Sequence, residues 1–159
     1  MRTIFKKDQG FTLIELIIII SITGTLSLIV IPKIGNTLTN VKLKIVTGKL
    51  LDDVRYVQSY ALTNHVYTWI TINSGSNSYS YGYYNTAPNI DPQILIDPSN
   101  GQSANIDIND YSGVTITSES LGGGLDFDWF GIPDNGGQII LNNTKIVYVE
   151  DETGYVYEN

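Results

Sequence analysis

The sequence predicts an α+β chain: a long N-terminal helix, its first half apolar enough to span a membrane, lying on an antiparallel β-sheet head. Three observations carry this. Residues 11–31 form a 21-residue apolar run whose single charge is Glu15; as a helix it spans roughly 30 Å, the hydrocarbon core of a bilayer. Apolar residues then recur at helical spacing as far as Ala61. From Val66 onward, β-branched and aromatic runs alternate with Asn-, Gly-, Ser- and Asp-rich turns.

The apolar run admits three readings. A cleaved secretory signal has its basic start in Arg2, Lys6 and Lys7, but the exit through Ile31-Pro32-Lys33 offers no small-residue cleavage site. A plain anchor explains the length but not Glu15, since a carboxylate within a spanning helix costs about 2.5–3.5 kcal/mol. So near the start of the run, Glu15 at headgroup depth is the bland alternative. Basic residues on both sides (Arg2, Lys6 and Lys7 before; Lys33, Lys42, Lys44 and Lys49 after) leave orientation open.

The third reading takes Gly10-Phe11-Thr12-Leu13-Ile14-Glu15-Leu16 as it stands, behind a short basic leader. This segment resembles the prepilin peptidase site of type IV pilins and pseudopilins. The resemblance implies a cut between Gly10 and Phe11, methylation of the new N-terminus and retention of the apolar helix. Glu15 is then the glutamate that pairs with a neighbouring subunit's terminal amine in the filament, a pairing far less costly in hydrocarbon than a lone carboxylate. Pro32 stands where members of the family often carry a helix-bending proline; lacking an N–H, it kinks or opens the helix without ending it. The implied divisions are a leader at 1–10, a transmembrane and filament-core helix at 11–31, an amphipathic continuation at 32–64 and a β-rich head at 65–159.

Beyond Pro32, one stripe runs through Ile34, Leu38, Val41 and Ile45 and a second through Leu43, Val46, Leu50, Val54, Val57 and Ala61. Both read as core-facing, on one helix of about residues 11–63 that stops near Asn64. Gly35 and Gly48 weaken that helix. Residues 66–72 predict a strand, Asn73-Ser74-Gly75-Ser76 a turn, and the alternating Tyr79, Tyr81 and Tyr83 its hairpin partner, with rings that cover the helix. Residues 85–113, with Pro88, Pro92 and Pro98, read as an irregular surface region and candidate contact surface; short strands are possible at 94–96 and 114–117. Residues 125–130, 138–141, 145–149 and 155–157 read as a four-stranded meander, with Asn142-Asn143-Thr144 as one turn. This C-terminal pattern resembles the H-type minor pseudopilins of type II secretion and their FimT-like pilus relatives. The absence of a C-terminal disulfide departs from many major pilins and favours a minor subunit.

Composition excludes much else. The 159 residues suffice for one domain with a core. With 16 Asp and Glu against 9 Lys and Arg, a formal charge of −7, the chain lacks the footprint of a nucleic-acid binder. It contains no cysteine and a single histidine, His65, which closes off thiolate chemistry, disulfides and multi-histidine metal sites. His65 caps the helix or faces solvent, and no nucleophile accompanies it. Gly122-Gly123-Gly124 lacks the lysine of a phosphate loop and reads as a loop before a strand. Asp107 and Asp110, with Asp91 and Asp97, are weak calcium candidates; the alternative is that they make turns.

No enzyme and no cofactor is therefore expected. The expected role is a structural minor pseudopilin or pilin subunit of a type II secretion pseudopilus or type IV pilus-like filament supporting protein transport. Its implied partners are the prepilin peptidase, other pilin or pseudopilin subunits, the inner-membrane assembly platform and the membrane itself, with no direct nucleic-acid contact. The implied location is the cytoplasmic (inner) membrane, single-pass, with the head extracytoplasmic. The alternatives are a minor pilin of an adhesion or DNA-uptake pilus, and an uncleaved membrane-anchored binding domain.

Overall fold

The structure, a computed structural model, describes residues 10–86 and 90–159, without side chains at 29–34 and 86. Residues 1–9 of the leader expected at 1–10, and the side chain of Pro32, lie outside the described residues. The described chain falls into two compact units, divided between Leu38 and Thr39.

The first unit is helical. Helix α1 begins here and is assigned as one element, Leu13–Asn64. Its large apolar side chains from Leu13 to Leu28 are all exposed. The polar side chains among them are silenced locally: Ser21, Thr23, Thr25 and Ser27 each donate to the carbonyl four residues back, at 2.7–3.1 Å. Among the described residues no helix is long and apolar enough to cross a membrane. The sequence run read as a span extends to Ile31, into the part of the helix whose side chains are not described.

The second unit packs the rest of α1 against two antiparallel sheets. The first sheet has the order β3-β2-β1-β6, with β4 also on β2. Its strands are β1 Thr68–Asn73, β2 Ser78–Thr86, β3 Ile90–Ile94, β4 Asn105–Asp107 and β6 Gly124–Phe127. The second sheet has the order β5-β7-β8-β9, built from β5 Ile116–Glu119, β7 Gly137–Leu141, β8 Lys145–Val149 and β9 Val156–Glu158. A single 3-10 turn, Ile108–Asp110, follows β4.

The second helical stripe is the core face: Leu43, Val46, Leu50, Val54, Val57 and Ala61 are buried with Ile70, Tyr81 and Phe127 of one sheet and Ile139, Leu141 and Val147 of the other. Tyr56 meets Tyr81 edge-on, and Tyr60 meets Tyr83, so the hairpin's tyrosines do cover the helix. The helix ends at Asn64 because His65 turns left-handed (φ 57°); its N–H and that of Val66 both reach the carbonyl of Ala61. Asn142 and Asn143, both at positive φ, begin the three-residue connection, closed by Thr144, that sets β7 on β8.

Four expectations need correction. The first stripe is not a core face: Leu38, Val41 and Ile45 are each about half exposed, because the sheets cover the helix side that carries Leu43 and Val46. Residues 125–130 do not start the meander. Their strand, β6, pairs with β1 in the first sheet, and β5 takes the place beside β7. The switch follows from the loop after β6, where Asp128 accepts the N–H groups of Phe130 and Ile132 and turns the chain away. The strand expected at 94–96 lies earlier, at Ile90–Ile94, with Pro92 tolerated on a sheet edge. Residues 85–113 are not merely surface: Leu95, Asp97, Ala104 and Ile108 are buried in the head.

Candidate functional site

At the helix start, Gly10 and Phe11 are exposed and precede the first turn. Thr12 is the N-cap: its carbonyl accepts the first helical hydrogen bond, from Leu16 N at 3.2 Å. Its side chain and that of Glu15 cap one another. Glu15 N donates to Thr12 Oγ1 at 3.3 Å, and Thr12 N and Oγ1 both donate to Glu15 Oε2 at 2.9 Å. This is a capping box, which satisfies backbone donors that a helix start otherwise leaves orphaned. The two sequence candidates Phe11 and Glu15 therefore sit on either side of Thr12. Thr12-x-x-Glu15 was a legible capping signal that the sequence reading absorbed into the cleavage motif.

Pro32 lies well along α1, which is assigned without a break through it, and the expected kink falls on a side chain that is not described. The other candidates are scattered over the head. Asp107 caps the 3-10 turn, its Oδ1 accepting Asn109 N at 2.9 Å, and Asp110 is exposed at the turn's end. Asp91 accepts from Asn85 and Gln93 on an exposed strand. Asp97 is buried and committed elsewhere. Among the described residues no group of three or more His, Cys, Asp or Glu side chains is placed to hold a metal ion. Glu119 accepts the N–H groups of Leu121 and Gly123, so the glycine loop is closed by a carboxylate and does not cradle an anion.

The head's own polar centre joins α1 to the segment before β4, and sequence reasoning missed it. Lys49 Nζ lies 2.8 Å from Asp97 Oδ2 and 3.1 Å from Asp53 Oδ2. Ser99 donates twice to Asp97 Oδ1, from N at 2.8 Å and Oγ at 2.7 Å. Tyr79 donates to Asp53 Oδ2 at 2.7 Å, and Tyr81 to Asp53 Oδ1 at 3.4 Å. Burial pushes the Asp53 carboxyl up more than Tyr79 and Lys49 draw it down. Burial acts the same way on Asp97, but there the hydrogen bonds from Lys49 and Ser99 outweigh it and hold the carboxyl below its usual range. Burial raises the Tyr79 and Tyr81 hydroxyls, and Asp53 raises them further, so both stay protonated as donors. A cluster this fully self-paired fastens a loop to a helix; it leaves no free nucleophile or base.

Three comparisons bear on this geometry. Residues 5–31 match the Prokaryotic N-terminal methylation motif. The "Type IV wide pilus major component PilA4" of Thermus thermophilus is 35% identical over 63 residues, which cover 40% of this chain and 48% of that protein. The chain thus spans about half the length of that relative. Among solved structures, the minor pseudopilin EpsH from the type 2 secretion system of Vibrio cholerae superposes with a TM-score of 0.59 at 10% identity, over 74% of this chain and 94% of that one. The type IV minor pilin FimU of Pseudomonas aeruginosa gives 0.56 at 12% identity, over 76% and 90%. The chain carries the prokaryotic N-terminal methylation motif on a pilin-like α+β fold.

Proposed function

We propose that the chain is a structural subunit of a type IV pilin-like filament, made as a precursor and cut between Gly10 and Phe11. The observation that carries this is the helix start: a methylation motif whose exposed Gly10–Phe11 bond directly precedes a capped helix. Cutting there removes only the leader and leaves the Thr12–Glu15 cap intact in the mature chain. In this reading residues 11–31 form the membrane and filament-core helix, residues 32–64 carry it into the head, and residues 65–159 present a surface. The helix's first unit supports it, since it exposes apolar side chains that need lipid or neighbouring helices as cover. Its Ser and Thr side chains bond back to the helix, as an apolar medium demands.

The prepilin peptidase, sibling subunits and an inner-membrane assembly platform are then the partners. The head lies outside the cytoplasm. Both a type II secretion pseudopilus and a type IV pilus accommodate this subunit. The test is the intact mass and N-terminal sequence of the protein from its native membrane. A chain that begins at methylated Phe11 is the expected result. A chain that still begins at Met1 overturns the proposal and leaves a tethered extracytoplasmic domain.

A further inference from the structure

The second sheet buries Ile139, Leu141, Val147, Val149 and Val156 on one face, and the residues between them point to the other. On that outer face one row crosses the strands in register. Ser120 N donates to Gln138 O, Gln138 pairs with Tyr148, and Tyr148 pairs with Tyr157. The aromatic end of the row is a stack. Tyr155 and Tyr157 have ring centroids 5.8 Å apart with 26° between their planes, and Tyr157 and Tyr148 are 5.1 Å apart at 15°. Tyr157 therefore covers the face of Tyr148 that looks towards β9.

On the β7 side the stack stops. There Tyr148 borders an open hollow of about 380 Å³, lined also by Ser120, Gly136, Gly137, Gln138 and Asp151. The two glycines bring backbone close to its polar residues: an added side chain would come within 2.6 Å of Asp151 N at Gly136 and 2.8 Å of Ser120 Oγ at Gly137. The Gln138 amide and the Asp151 carboxylate make no hydrogen bond among the described residues. The lining holds one carboxylate and no lysine or arginine, so it repels phosphate and other anions. Strand β7 is paired on both sides, by β5 and β8, so an extended peptide finds no strand edge to join. The hollow suits an uncharged ligand with one flat apolar face and a rim of hydroxyls.

We infer that the hollow beside Tyr148 is a saccharide-binding subsite. One C–H face of a neutral pyranose ring stacks on Tyr148 as the next member of the row. Its hydroxyls donate to the Asp151 carboxylate and exchange hydrogen bonds with the Gln138 amide, which both accepts and donates. The volume lies at the small end of ligand sites, room for a short stretch of sugar and no more. A site this open, with one aromatic face, holds its ligand weakly, with a Kd on the order of 1 mM. The inference does not depend on the filament reading.

The test is a titration of the full-length chain, in a detergent without a sugar headgroup, followed by calorimetry. The probes are neutral di- and trisaccharides of glucose, galactose, mannose and N-acetylglucosamine, with choline and inorganic phosphate as charged probes. The expected result is saturable binding of at least one of the neutral saccharides and none of phosphate. Gln138→Ala and Asp151→Asn should each weaken it about fivefold. Tyr148→Leu should abolish it, whereas Tyr148→Phe, which keeps the ring, should bind nearly as the parent does. Tyr155→Ala, at the far end of the stack, should leave it unchanged. Saturation by none of the saccharides overturns the inference, as does undiminished binding by the Gln138 and Asp151 variants. A loss with Tyr155→Ala as large as with Tyr148→Leu overturns it in favour of a ligand lying along the stack. Tighter binding of choline or phosphate overturns it in favour of a charged ligand.

Discussion

Replacing Lys49 by methionine removes the cation shared by two buried carboxylates. At an effective dielectric of about 20, its attraction to Asp97 at 2.8 Å is about 6 kcal/mol, and to Asp53 at 3.1 Å about 5 kcal/mol. Desolvation of the three ions consumes most of that, so the intact cluster is near neutral for stability, whereas an orphaned buried charge costs about 3–5 kcal/mol. Lys49 is 21% exposed, which lets water reach the vacated place and sets the expectation at the low end, about 3 kcal/mol.

The pH dependence is the sharper signature. In the parent chain the depressed Asp97 contributes stability above its unfolded pKa, lost as the pH falls through its folded value. The raised Asp53 acts oppositely: its contribution is present in acid and lost as the pH rises through its folded pKa. Without Lys49 both carboxyls are pushed up, so the variant's penalty is largest at neutral pH and shrinks towards about pH 4. Urea unfolding of the full chain in detergent, followed by tryptophan fluorescence, reads this. Adding Asp97→Asn to Lys49→Met should restore about 1–2 kcal/mol, since one of the two orphaned charges goes with it. A penalty under about 1 kcal/mol, or one that grows in acid, refutes the account.

Other perturbations have equally definite outcomes. A side chain at Gly82 would strike the carbonyl oxygen of Gln93 and come within 2.6 Å of the Trp69 ring, so Gly82→Ala should lower stability by at least about 2 kcal/mol, read as an earlier urea midpoint. Thr12→Ala should cost about 1 kcal/mol of helix stability with cleavage unchanged, visible as lost helical ellipticity. Glu15→Val should be processed between Gly10 and Phe11 yet fail to enter filaments, and its normal incorporation would sink the pairing role. Added calcium should leave the melting temperature unmoved, because Asp97 is held by Lys49 while Asp107 and Asp91 serve turn and strand; a saturable rise would revive the metal reading.

What the sequence made legible was local. The four- and three-residue spacing declared the helix as far as Ala61, and Tyr79, Tyr81 and Tyr83 declared their strand, because those periods arise within one element. The choice of sheet for β6 could not be read this way. Phe127 alternates as a meander strand should, and the decision rests on Asp128 turning the chain and on pairing with Thr68–Thr71, far back in sequence. The two helical stripes were indistinguishable by period; only the sheets' position tells Leu43 and Val46 from Val41 and Ile45. Asp97 looked like one more turn aspartate. Its partner Lys49 lies 48 residues away, and no local pattern announces such a pair.

Under the filament reading, the capping box changes what Glu15 would offer an incoming subunit. A carboxylate tumbling on an exposed first turn would lose side-chain freedom on pairing, and a charge pair in hydrocarbon gains from exact geometry. Here both hydrogen bonds from Thr12 fall on Oε2, so the carboxylate is already oriented, and Oε1 has no partner among the described residues. Under the filament reading capping and pairing need not compete: Oε2 satisfies the helix start, and Oε1 is left to accept from a neighbour's terminal amine if one is presented. Under the filament reading this predicts that Glu15→Gln is more damaging to assembly than to the helix, because the amide keeps an acceptor for the cap but loses the charge. It also places Thr12 as the residue that aims Glu15, so Thr12→Ser, which keeps the hydroxyl, should assemble better than Thr12→Ala.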